Sequence, residues 1–302
     1  MLRIITIILF CLGANVMAAD SIKVSGVWGF AVGSTQGTYF RAILDQANQE
    51  QNKYEFQFDH RPGAGGAIAT RYVNDQKTPA ILAHSAAYFV RPYLYPDTPY
   101  NFNQFKPLLI MGQAPAVLMT KGKTIEQLLK QPRIVLGTAG TGSSTHLMAE
   151  TLKKYAKNNE VVMIHYKDTN EAYLAVLGGH IDGTFEFLGD AKAKATADVT
   201  FAGITGRTSI EGIATLKDKG MQEMENLSGI FAIYVPVAMP DSTYKELRDI
   251  LLRAEQHSSV QTLYRKDYTF RDPNHQNANS LKPWYDTTVK KFQSLTTGIE
   301  IK

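Results

Sequence analysis

The stretch GTAGTGSSTH, Gly137 to His146, closes the apolar run RIVLGT and leads into a segment with Leu147, Met148, Leu152, Tyr155 and Ala156 on one helical face. A strand, a glycine loop and a helix in succession form the unit of parallel α/β sheets, and such sheets bind ligands at loops on the carboxyl ends of their strands. The loop is one residue short of a phosphate-binding P-loop. Gly137, Gly142 and Ser144 are correctly spaced, but Ser143 stands where the lysine belongs. That loss weakens a nucleotide role and leaves a helix N-terminus offering amides and hydroxyls to a smaller anion.

The same unit recurs along the chain. IKVSGVWGF reads as a strand, Gly33-Ser34-Thr35 as the loop after it, and Tyr39, Phe40, Ile43, Leu44 and Ala47 as one face of a helix. EFQF is a further strand, RPGAGGA a tight turn, and Ile68, Tyr72 and Val73 the face of a short helix before the strand AILAHS. After the opening loop come a strand at VVMIHY, a helix at NEAYLAVLGG stopped by Gly178-Gly179, and a strand at IDGTFEFL. Pro240 announces a helix facing inward through Leu247, Ile250, Leu251 and Ala254, and Trp284, Val289, Phe292 and Leu295 lie in a last one. Two apolar segments, PLLIMGQAPAVLMT from Pro107 and LSGIFAIYVPVAMP from Leu227, separate the halves and predict a two-strand hinge.

With 302 residues, 44% hydrophobic and 20% charged, the chain has room for two ordinary α/β domains. Its first residues have one cation at Arg3, an apolar run from Ile4 to Leu12 and a small-residue exit at Val16-Met17-Ala18, the pattern of a secretory signal peptide cleaved after Ala18. The single cysteine, Cys11, lies inside that apolar run after Phe10, which argues against lipidation and leaves the mature protein without disulfide or thiolate chemistry. Loss of Arg3 takes the net charge from +4 to +3, and no Lys/Arg block of the nucleic-acid-binding kind occurs. Lys192-Ala-Lys194 reads as a solvated face.

Two strand-to-helix loops facing each other, Gly33 to Gln36 and Gly137 to Ser144, would form an anion clamp; each alone also looks like an ordinary turn with hydroxyl N-caps. Ser143 and Ser144 lack the flanking glycine of a hydrolase nucleophile elbow. The seven histidines, at 60, 84, 146, 165, 180, 257 and 275, show no metal-ligand spacing, so neither a metal nor a cofactor is expected. Asp182 and Glu186 point to one face of a strand and could pair as acid and base, although one of them also fits a strand end. Trp28, Phe30, Tyr88 and Phe187 suit either the core or an apolar cleft wall.

RPGAGGAIAT, YLYPDTPYNFNQFKPL, GTAGTGSSTHLMAE and YKDTNEAYLAVLGGHIDGTFEFL, in this order and spacing, resemble the extracytoplasmic solute-binding proteins of tripartite tricarboxylate transporters, the Bug family. The resemblance spans nearly the whole mature chain. It implies the periplasmic binding protein fold: two α/β domains, each a mostly parallel sheet flanked by helices, joined by a two-strand hinge. After a signal peptide over 1–18, the first domain would comprise 19–112 and 232–302 and the second 113–231. It also implies a monomer in the periplasm that captures a small mono- or dicarboxylate and delivers it to membrane transporter subunits, without catalysis or nucleic-acid binding. Ligand contacts are expected at Phe30, Gly33, Ser34, Thr35 and Gln36 in the first loop and at Ser85. In the second half they are expected at Thr138, Gly140, Thr141, Gly142, Ser143, Ser144 and Glu186. Gln36 stands where relatives commonly carry Asp, which bears on specificity because an amide also donates hydrogen bonds. Other roles left open are ligand presentation to a sensor kinase and an exported serine hydrolase.

Overall fold

The structure, a computed structural model, describes residues 21–30, 33–157 and 159–299. The expected signal peptide and Cys11 lie outside them. Strands β1 (Ile22–Trp28), β2 (Tyr54–His60), β3 (Ala80–His84), β4 (Phe105–Ala114) and β10 (Gly229–Pro236) form one sheet in the order β2-β1-β3-β10-β4. Strands β5 (Ala116–Lys121), β6 (Arg133–Thr138), β7 (Glu160–His165), β8 (Gly183–Phe187) and β9 (Val199–Ile204) form the other in the order β7-β6-β8-β5-β9.

Both sheets are mixed. In each, three strands pair in parallel and one, β10 or β5, enters antiparallel to them. The reason is geometric: a strand arriving from the other half starts at the cleft and runs away from it, against strands that run towards it. β4 passes directly into β5 through Pro115, so the chain changes sheet there, and it returns through residues 205–228 to β10. Gln113 and Ala114 pair with Ile230 and Gly229 in the first sheet. The chain therefore leaves the first sheet at Pro115 and is back in it by Gly229. Of the two hinge segments, the one from Pro107 divides between the sheets, whereas the other lies in β10 alone.

Helix α1 (Thr35–Glu50) buries Tyr39, Phe40, Ile43, Leu44 and Ala47, the face its periodicity predicts. α2 (Ala67–Asn74) buries Val73, but Ile68 is 52% exposed and reaches over Gly63, contrary to its expected inward face. The α3 helix (Ala87–Leu94) packs against α10 (Ala278–Thr296), where Phe89 stacks on Phe292 at 5.5 Å between ring centroids. Around them Tyr88 lies at 4.6 Å from Tyr234 and its hydroxyl is 2.7 Å from that of Tyr285. The second half contributes α4 (Ile125–Leu128), α5 (Ser144–Tyr155), α6 (Thr169–Leu177) and α7 (Leu188–Lys194), and the first is completed by α8 (Asp241–Gln256) and α9 (Ser258–Lys266). No described helix is long and apolar enough to cross a membrane.

Since α10 closes the first core through a fully packed Phe292, Phe292→Ala should cost about 3–5 kcal/mol, read as a lowered midpoint in chemical denaturation.

Candidate functional site

The carboxyl ends of all six parallel strands converge on one cavity of about 640 Å³ between the halves. Trp28 to Phe30 reach it from β1, His60 to Gly65 from β2 and Ser85 from β3. Ala139 to Thr145, Tyr166 to Asn170 and Glu186-Phe187 reach it from β6, β7 and β8. Glycines let the two loops approach. Gly65, at φ +59°, lies where a Cβ would be 3.2 Å from the carbonyl oxygen of Thr141, so the turn of the first half rests on the loop of the second. Arg91 Nη1 donates to that same oxygen at 3.3 Å, so the loop does meet a cation, through a residue that does not itself line the cavity.

Of the residues expected to touch a ligand, Phe30, Gly33, Ser34, Gln36, Ser85, Gly140, Thr141, Ser143, Ser144 and Glu186 line the cavity. Thr35, Thr138 and Gly142 are placed differently. Thr35 gives its hydroxyl proton to Asp190 across the cleft. Thr138 is fully buried with its hydroxyl 2.7 Å from His165 Nδ1. A side chain at Gly142 would press on Tyr95 and Arg91, not on the space a ligand would use. The hydroxyls of Ser34 and Ser143 do act as N-caps, accepting from Gly37 N at 3.3 Å and His146 N at 3.1 Å. Ser144 is 7% exposed and its hydroxyl has no hydrogen-bond partner among the described residues. It is an unsatisfied polar group in the wall of a cavity, at the N-terminus of α5.

The cavity also has a charged end that sequence patterns did not reveal. Lys194, read as solvated, has a side chain only 19% exposed; it ion-pairs with Glu186 and donates to Asn170 Oδ1 at 2.9 Å. Glu186 is 1% exposed and also accepts from Phe187 N at 2.9 Å. Its acidic neighbour is Asp190, not Asp182, which instead accepts from Val135 N and Lys123 at 2.8 and 2.7 Å. Asp190 and Lys194 are four apart on α7, one helical face, and Glu186 lies four residues before Asp190 at the end of β8; that spacing is the signal that could have found them. Burial and the Glu186 carboxylate push Asp190 up to about 6, with the Thr35 hydroxyl acting in the opposite sense. Beneath the site, burial holds His84 down to about 4, so it is neutral at pH 7.

Residues 41–299 match the family described as "Tripartite tricarboxylate transporter family receptor". The chain belongs to this family. Its fold is that of the periplasmic binding protein BugD, with a TM-score of 0.83 at 21% identity over 93% of this chain and 99% of the other. It is equally that of MatC from Rhodopseudomonas palustris with bound malate, with a TM-score of 0.79 at 16% identity over 91% and 98% of the two chains. An R. palustris protein with adipate gives 0.79 at 17% identity over 91% and 96%. No curated protein matches the sequence.

Asp190 carries a testable sign. Its folded value lies above the ordinary 3.8, so its contribution to stability is full below about 4 and lost as the pH rises through about 6. Between pH 4 and 7.5 the wild type should lose on the order of 2 kcal/mol more than Asp190→Asn. Urea denaturation of both proteins at the two pH values measures the difference.

Proposed function

We propose that this receptor is exported to the periplasm, closes its two halves on a small organic carboxylate, and hands that ligand to the membrane subunits of a tripartite transporter. One observation carries the reading: a buried, unpartnered Ser144 hydroxyl at a helix N-terminus, in a cavity formed by the carboxyl ends of six strands. Helix N-terminal amides favour an anion, and amides and hydroxyls satisfy a carboxylate without a lysine. Family membership supports transport, and the malate and adipate seen in two proteins of the same fold are carboxylates of the size the cavity admits. Cleavage near Ala18 and action as a monomer belong to the same proposal.

Binding without chemistry is favoured over serine hydrolysis. A serine nucleophile requires a base within hydrogen-bond reach. His146 accepts instead from Gly142 N at 3.0 Å through Nδ1 and turns Nε2 towards Glu150 at 3.8 Å, while Ser144 has no partner among the described residues.

Ser144→Ala should weaken carboxylate binding by about 10- to 100-fold, the loss of a hydrogen bond to a charged group, and leave the ligand-free melting temperature unchanged or higher. Calorimetry and thermal melts read the two quantities. Undiminished affinity would remove Ser144 from the site.

The halves should also move. A Cβ on Gly189 of α7 would lie 2.7–2.8 Å from the Asp267 backbone after α9, so the halves touch closely there. Small-angle scattering should show compaction of the wild type on saturation with ligand, whereas Gly189→Val, a wedge in that contact, should stay expanded and bind less tightly.

A further inference from the structure

The charged end of the cavity is built for something other than a second carboxylate. Glu186 and Asp190 both line it, against one half-buried ammonium, Lys194, which is already held by Glu186 and by Asn170 at 2.9 Å. At the rim, Lys167 and Asp168 contribute one charge of each sign. The N-terminus of α1 is the pole where sequence patterning places a ligand anion. There the Thr35 hydroxyl donates to Asp190 instead, a carboxylate of the protein itself. The opposite anion pole, at α5, presents Ser143, Ser144 and Thr145 with no acidic side chain among them, and the Ser144 hydroxyl, on a residue 7% exposed, has no partner among the described residues.

Resting on the carboxylate reading above, we infer that the ligand is an ω-amino carboxylate. Its carboxylate sits on the α5 N-terminus, and its ammonium faces Asp190 and Glu186, which makes Asp190 a residue that determines specificity. Electrostatics favours this pairing: an ammonium supplies the charge that two acids and one lysine leave uncompensated, whereas a terminal carboxylate there would meet like charge in a desolvated site. Between the ends, Trp28, Phe30 and Phe187 supply an apolar wall for methylene groups. Burial and the Glu186 carboxylate raise the proton affinity of Asp190, in keeping with a negative charge that Lys194 offsets only in part.

The test is calorimetric titration of the full chain at pH 8 with two matched sets of acids. One set is 6-aminohexanoate, adipate and hexanoate; the other is 4-aminobutanoate, succinate and butanoate. At the chain length that fits, the amino acid should bind about tenfold or more tightly than the dicarboxylate. Asp190→Asn should reduce that ratio to about threefold or less; Glu186→Gln is the second variant, should the first not fold. A dicarboxylate that binds as well as or better than its amino counterpart in both sets overturns the inference and leaves carboxylate capture standing. An unchanged ratio in the folded Asp190→Asn variant overturns the role of Asp190. Failure of all six acids to bind the folded wild type overturns carboxylate capture and the inference with it.

Discussion

Pro115 carries the chain out of one sheet and into the other with no loop between, and the rest of the molecule is arranged around that joint. On its first-half side, Gln113 exchanges two backbone hydrogen bonds with Phe270, at 2.8 and 2.7 Å. Within the joint, Pro115 O accepts from Leu188 N at 2.9 Å. On the far side, Ala116 N donates to the Thr205 hydroxyl at 2.9 Å and Ala116 O accepts from Thr205 N at 2.8 Å. Proline lacks a backbone donor, and its fixed φ keeps the segment extended, so it suits a place where one ladder ends and another starts.

The direction of that crossing also determines where ligands can go. β4 runs towards the cleft and β5 away from it, which forces β5 to be antiparallel to its new neighbours and leaves the carboxyl ends of the parallel strands facing the same space. The N-termini of α1 and α5 then both open on one cavity, each with a positive partial charge. The protein has filled them differently. The α1 end receives Asp190 from the other half, and the α5 end keeps a serine hydroxyl without a partner. An internal carboxylate at one anion pole both ties the halves together and makes the two ends of the cavity chemically unlike.

Several local assignments change once the halves are brought together. Lys194 ends the short helix α7 and reads as solvated, yet the ion pair with Glu186 draws it into the cavity wall, since a carboxylate 1% exposed needs a compensating charge. Ile68 has the spacing of a core residue but covers Gly63 at the surface, because α2 turns its Val73 face to the sheet. The serines of both loops were ambiguous between capping and ligand binding; Ser34 and Ser143 cap, and Ser144, one residue inside α5, is left over.

Sequence by itself determined the elements that depend on near neighbours. Strand, glycine loop and helix follow one another with faces legible at period 3.6, as in α1 and α5, because side chains three or four residues apart share a helix face whatever surrounds them. The loop GTAGTGSSTH was legible as a capped helix start by the same token: cap, glycines and helix start are all within ten residues. Only the tertiary structure decided that β5 and β10 enter their sheets antiparallel and that Thr35 meets Asp190, 155 positions away in the chain. Such pairings depend on how two sheets are placed by the crossing at Pro115, and no local period or spacing encodes the distance between residues on opposite sides of a cleft.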